Sequence, residues 1–117
     1  MEILPTRTDG SNWYDFNIQL EGIVFTFEFV WNDREGSWYF NLYDTNANLL
    51  LAGIKVVLNT FLLARFVSTS LPNGDLTACD TTGQDVMPGL QDLGDRVLLS
   101  YFSNAELQAI AAGTYTP

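Results

Sequence analysis

Hydrophobic and polar residues alternate with a period of two along the first half of the chain. In Trp13–Leu20 every second residue is apolar, and in Ile23–Asn32 the face that begins with Ile23 carries three phenylalanines and ends at Trp31. Because successive side chains of a β-strand point to opposite faces, this pattern predicts two strands, each with one face in the core. Glu21-Gly22 between them predicts a tight hairpin turn, since glycine readily adopts positive φ.

Two more strands are predicted to continue the same sheet. Ser37–Asp44 alternates again, and an apolar stretch over Leu49–Leu58 follows it. The polar connections Asn32–Gly36 and Asp44–Asn48 have the composition of hairpin loops. Four strands joined by such short loops form an antiparallel meander.

The second half of the chain is less regular. Leu71–Asp75 contains Pro and Asn-Gly and predicts a turn, with flanking strands at Arg65–Ser70 and Leu76–Asp80. Val97–Phe102 has the composition of a last strand. Asn59–Ala64 fits either an extension of a strand or a short turn of helix, because an apolar run of this length has no diagnostic period.

A short helix is predicted at the end of the chain, over Ala105–Ala112. Ser103 is the expected N-cap, Glu106 completes a capping box, and Gly113 ends the helix.

These elements predict an all-β fold, a small barrel or sandwich of about seven strands with a short C-terminal helix. A sheet that is apolar on one face must close on itself or pack on a second sheet. The length of 117 residues fits a single domain over 1–117, with the core strands in 12–102 and the helix and tail in 103–117.

The charge balance narrows the possible partners. The net charge is −9, from 14 acidic and 5 basic residues. Neutralising phosphates requires Lys and Arg, so nucleic-acid binding and docking on anionic membranes are not expected. The single cysteine, Cys79, excludes an intrachain disulfide and is expected to be buried and inert.

Few residues of the chain could act in catalysis. The chain has no histidine, which removes the commonest general base and zinc ligand. Four acids, Asp80, Asp85, Asp92 and Asp95, could supply a hydrolase carboxylate pair or bind Ca²⁺. A solvated loop rich in turn-forming Asp explains them more simply. No catalytic, cofactor-binding or metal-binding residues are therefore predicted, and no cofactor.

The aromatic residues allow a second function. A set of them could form a sugar-stacking platform, which makes a carbohydrate-binding module the alternative hypothesis: Trp13, Trp31, Trp38, Tyr14, Tyr39 and Tyr43. Such residues in alternating strands more often belong to the core. Any that are exposed would instead mark an assembly interface, where Trp and Tyr are enriched.

The order of these motifs resembles one known family. The matching residues are Phe16-Asn17-Ile18-Gln19-Leu20-Glu21-Gly22, Trp31-Asn32, Arg34, Gly36-Ser37-Trp38-Tyr39, Gly53-Ile54, Leu58, Leu71-Pro72-Asn73-Gly74, Asp92-Leu93-Gly94, Val97, Leu99 and Tyr101. Together they are similar to the small baseplate plug proteins of contractile-tailed phages, over about 90 residues from Trp13 to Phe102.

The resemblance implies a structural, non-enzymatic protein of the phage tail baseplate. It would be made in the host bacterial cytoplasm and act in the virion, in several copies. It would hold hub, spike and tube-end proteins together and help to close the tail tube. An acidic surface suits such a place, because it would repel passing DNA.

Loops and free ends are where a rigid scaffold presents binding surface. The segment Thr81–Asp95, the long loop, is irregular over a length that is usually functional. We therefore expect partner contacts from the long loop, the loop Asn32–Gly36 and both termini. The candidate contact residues are Asp33, Arg34, Asp85, Met87, Leu90 and Asp92.

Overall fold

The computed structural model describes residues 2–63, 71–72 and 74–113. In these residues the elements are β1 (Glu2–Ile3), β2 (Trp13–Leu20), β3 (Ile23–Asn32), β4 (Ser37–Tyr43), β5 (Leu49–Lys55), β6 (Asp75–Asp80), β7 (Val97–Phe102) and α1 (Asn104–Ala112). The strands form a four-stranded sheet, β2-β3-β4-β5, and a three-stranded sheet, β1-β7-β6, and every strand pair is antiparallel. The predicted all-β fold with a short C-terminal helix is confirmed.

The four-stranded sheet is the predicted meander. Phe27 of β3 lies opposite Phe16 on one side and Leu42 on the other. Glu21 and Gly22 both have positive φ, 50° and 85°, which is the geometry of the type I′ turn that suits two-residue hairpins. The strands β4 and β5 end at Tyr43 and Lys55, one and three residues earlier than predicted.

The two sheets share one hydrophobic core. The four-stranded sheet contributes a row of stacked and tilted rings that includes Phe27, Phe29 and Phe40. The three-stranded sheet contributes Leu76 and Leu99, both fully buried. The described strands form two separate sheets with a common core, so of the two predicted architectures the sandwich describes them.

The segment between β5 and β6 connects the two sheets. The Asn59 amide donates to the Ala78 carbonyl at 2.8 Å, and the Leu62 amide donates to the Leu76 carbonyl at 2.9 Å. The chain therefore follows the edge of β6 through bends and turns. Up to residue 63 it forms neither the strand extension nor the helical turn that the sequence allowed. Ala64 and the predicted strand Arg65–Ser70 lie outside the described residues.

Two positions and one short strand differ from the sequence-based expectation. Cys79 is exposed rather than buried, because β6 alternates and its neighbours Ala78 and Asp80 point inward. Ile23, predicted to face the core, is 48% exposed, because it begins its strand directly at the turn. The two-residue strand β1, which pairs with β7, is too short to produce an alternating pattern.

Helix α1 has the predicted caps. The Ser103 hydroxyl accepts a hydrogen bond from the Glu106 amide, the Glu106 carboxylate accepts one from the Ser103 amide, and Gly113 adopts φ 74°. The helix begins at Asn104, one residue earlier than expected, and buries none of its residues. No helix in the described segments is long and apolar enough to span a membrane.

Candidate functional site

Arg96, which directly precedes β7, organises the long loop. Its Nη1 atom donates to Asp80 Oδ2 at 2.7 Å and to the Val86 carbonyl at 2.8 Å. Its Nη2 atom donates to the Met87 carbonyl at 3.1 Å and to Asp92 Oδ2 at 3.2 Å. One guanidinium thus binds the strand before the loop and three positions along it, and charge-assisted bonds of this kind are strong and directional.

Asp80 completes this arrangement from the end of β6. Its side chain has no solvent exposure and accepts hydrogen bonds from the Thr82 hydroxyl and amide, the Val86 amide and Arg96. The hydrogen bond from the Thr82 hydroxyl has the largest effect, and together these donors lower the pKa of Asp80 to about 2. The carboxylate is therefore ionised at neutral pH and fixes the start of the long loop.

The long loop also packs on the core. Trp38 of β4 is fully buried, and its indole Nε1 donates to the Gly89 carbonyl at 3.1 Å. Leu93 is fully buried, Pro88 is buried, and Leu90 packs against the core. The loop has no regular secondary structure, as predicted, but it is an integral part of the sandwich.

Two of the four candidate acids share one arginine. Asp80 and Asp92 both bind Arg96. The hydrogen bond from the Gly89 amide, and after it the one from Arg96, lowers the pKa of Asp92. Within residues 2–63, 71–72 and 74–113, no three Asp, Glu or Cys side chains come together in a way that could hold a metal ion. Asp80 and Asp92 therefore hold the loop through Arg96.

The two predicted contact loops lie at the same end of the molecule. Trp31 rests edge-on against Trp38, with ring centres 5.4 Å apart, and its Nε1 faces Asp33 Oδ1 at 3.4 Å. Because Trp38 also binds the long loop at Gly89, these indoles link the loop Asn32–Gly36 to the long loop. The two loops together are called the loop end.

The candidate contact residues differ in their accessibility at the loop end. Asp33, Arg34 and Asp85 are exposed, and the Asp85 carboxylate accepts a bond from Asn59. The remaining three are half-buried: Met87, Leu90 and Asp92. Val86, which the sequence did not single out, is 52% exposed. An apolar residue in an irregular loop carries no periodic signal of its exposure, so sequence reasoning had no means of finding it.

The aromatic residues of the alternative sugar-platform hypothesis differ in their exposure. Trp38 has no exposed surface and Trp31 is half-buried against it. Trp13 is instead 68% exposed, because it occupies an outward position of β2.

Trp13 belongs to a hydrogen-bonded network on the solvent side of the four-stranded sheet. Glu28 Oε2 accepts from the Trp13 indole at 2.7 Å, and Glu28 Oε1 accepts from Asn41 and from the Tyr43 hydroxyl, both at 2.9 Å. The Asn41 bond, followed by the Trp13 bond, lowers the pKa of Glu28. With Asp15, these four residues make up what we call the outer sheet face.

A cleft opens beside Asn41 on the same sheet. It has a volume of about 550 Å³, and Val30, Tyr39 and Gly53 are among its lining residues. Gly53 has positive φ and open space at its missing side chain. Polar and aromatic groups therefore surround a depression next to the outer sheet face.

A comparison with known protein families identifies the family of this chain. Residues 1–104 match the family described as cyanophage baseplate Pam3 plug gp18. The chain belongs to this family. No curated protein sequence matches the chain. The resemblance to baseplate plug proteins inferred from the motifs is confirmed.

As a member of the baseplate plug family, the chain is a structural component of the phage tail baseplate. It is located in the virion and associates with other baseplate proteins. The loop end and the outer sheet face are both fixed by internal hydrogen bonds. Preorganised surfaces of this kind bind a partner with little cost of ordering.

Proposed function

We propose that this chain holds hub, spike and tube-end proteins together at the centre of the baseplate and helps to close the tail tube. It acts as a single structural domain over residues 1–117, is made in the host bacterial cytoplasm, and is present in several copies per particle. The observation that carries this proposal is the membership of residues 1–104 in the baseplate plug family.

The loop end supports a role in binding neighbouring proteins. Arg96 and Trp38 fix the backbone of the long loop, while Asp85 and Val86 extend into solvent. Asp33 and Arg34 are exposed on the adjoining loop. Such a rigid, mixed polar and apolar surface suits a permanent contact in an assembly.

We also propose that the chain acts without catalysis. It has no histidine, and Asp80 and Asp92 are bound to Arg96 rather than free to exchange protons with a substrate. The net charge of −9 opposes binding to DNA, which supports a place beside the path of the genome.

The test introduces a lysine at an exposed position of the long loop. Val86→Lys retains the backbone amide and carbonyl that bind Asp80 and Arg96, so folding should be preserved. Deleting residues 86–91 would be a poorer test, because it removes the partners of Trp38 and Arg96. A phage that lacks the gene would be complemented with each variant, and the copies of the chain per purified tail counted by mass spectrometry.

We expect Val86→Lys to reduce the copies per tail by about tenfold, as for a central interface residue. The matched control is Asn46→Lys, which places the same charge on an exposed hairpin loop at residues 44–48. Absence of the wild-type chain from purified tails would refute the proposed function. Normal incorporation of Val86→Lys would refute the role of the loop end.

A further inference from the structure

The outer sheet face presents an aromatic ring in a fixed orientation. Trp13 is 68% exposed, yet its indole nitrogen is held 2.7 Å from Glu28 Oε2. A large exposed ring whose rotation is restricted loses little conformational entropy on binding. Trp and Tyr residues of this kind are the commonest anchors of protein interfaces.

The same face carries negative charge that no ion pair among the described residues neutralises. Glu28 is satisfied by three neutral donors, which leave its charge in place. Asp15 lies directly opposite Glu28 in the register of β2 and β3, on the same side of the sheet. Like charges directly opposite each other on neighbouring strands destabilise a sheet.

The basic residues nearby are engaged elsewhere. Lys55 bonds to Glu35 at 2.7 Å. Arg7 lines a pocket together with Trp13 and Asp15, and its guanidinium lies 5.7 Å from the centre of the Tyr14 ring. In the described segments no Lys or Arg forms an ion pair with Asp15 or Glu28. Asp15 and Glu28 therefore have no direct ion-pair partner within the described residues.

We propose that the outer sheet face is a docking surface for a positively charged surface of a neighbouring baseplate protein. An arginine or lysine of that protein stacks on the Trp13 ring and is neutralised by Asp15 and Glu28. This inference deepens the proposed function and rests on it. Charge complementarity selects the partner, since a cation relieves the repulsion between the two carboxylates and gains a cation–π contact.

The polar surroundings of Trp13 fit this occupant. Asn41 and Tyr43 both donate hydrogen bonds to Glu28 Oε1. The carboxylate is therefore already oriented before a cation binds. The cleft beside Asn41, with a volume of about 550 Å³, offers space for a second side chain of the partner. A neutral or acidic partner would leave the carboxylates desolvated and unpaired, at high cost.

The test measures incorporation and stability of the same variants. Trp13→Ala removes the ring, and Asp15→Asn removes one charge while keeping the shape of the side chain. Each would complement a phage that lacks the gene, with Asn46→Lys as the control that changes the net charge by the same amount as Asp15→Asn. Copies per purified tail would be counted, and the melting temperature of each purified variant measured.

We expect Trp13→Ala and Asp15→Asn to lower the copies per tail by about tenfold, with Asn46→Lys unchanged. The melting temperature of Asp15→Asn should equal or exceed that of the wild type, because repulsion at β2 and β3 is relieved. A purely structural role for Asp15 would instead lower the melting temperature.

Two results would overturn the inference. One is that both variants enter tails normally, while in separate complementations the wild-type chain enters tails and Val86→Lys does not. That result would refute the docking surface and leave the proposed function intact. The other is normal incorporation of Trp13→Ala together with loss of binding to a glycan array that the wild type recognises, which would make the face a sugar site. Failure of the wild type itself to enter tails would be a failure of the proposed function.

Discussion

The carboxylate of Asp80 contributes to the stability of the long loop. Its pKa of about 2 lies below the ordinary value of 3.8. Because the folded state binds this proton less readily than the unfolded state, Asp80 stabilises the fold above about pH 4. We expect that contribution to be lost as the pH falls from about 4 to about 2, measured as the urea midpoint at each pH.

Two variants distinguish the contribution of Asp80 to acid stability from that of Asp75. Asp80→Asn should be less stable than the wild type at pH 7, and the difference should shrink as the pH falls toward 2. Burial raises the pKa of Asp75, so its ionisation opposes folding, and Asp75→Asn should not remove the loss of stability in acid. An Asp80→Asn variant that parallels the wild type at every pH would contradict this role.

Residues that act through local geometry were predictable from the sequence. Ser103, Glu106 and Gly113 interact within one short helix, and their spacing alone identified them. The pairing of Asp80 with Arg96 was not predictable, because 16 positions separate them and only the alignment of β6 with β7 brings them together.

Among the elements, the long loop depends most on a contact with a distant strand. Trp38→Phe removes the indole donor to the Gly89 carbonyl within a fully buried site. We expect the free energy of unfolding to fall by about 1–3 kcal/mol, since a polar group loses its partner. Urea denaturation measures the change, and hydrogen exchange should show faster opening in the long loop.

Trp31→Phe is the matched control. Its indole lies 3.4 Å from Asp33 at an exposed site, a long and weak hydrogen bond. We expect a smaller loss of stability and unchanged exchange in the long loop. Equal losses in the two variants would show that ring size, rather than the bond to Gly89, sets the stability.

Helix α1 depends on its caps more than on packing. It has nine residues and none is buried, so burial of apolar side chains contributes little to its stability. Ser103→Ala should destabilise the helix by about 0.5–2 kcal/mol, seen by NMR as loss of helical shifts in residues 104–112 while the strands are unchanged. Gln108→Ala, an exposed change inside the helix, should leave it intact, and loss of helix in both variants would contradict the capping role.

For the molecule as a whole, the meander was predictable and the closure of the core was not. Alternation between Trp13 and Tyr43 identifies the first three strands of the meander and the face that each buries. The sandwich depends on the path of residues 56–63, where the amides of Asn59 and Leu62 pair with β6. Those pairings arise from backbone geometry, which leaves no pattern of side chains in the sequence.

The net charge of −9 sets how the whole molecule responds to salt. Repulsion among its acids destabilises the compact state, while the described residues contain few ion pairs that salt could weaken. We therefore expect the melting temperature to rise as sodium chloride increases from about 0.01 to about 1 M, because the screening length shortens from about 30 to about 3 Å. Asp95→Asn removes one exposed charge of the loop end and should show a smaller rise. A melting temperature that falls with salt would mean that attraction through Arg96 and Lys55 outweighs the repulsion.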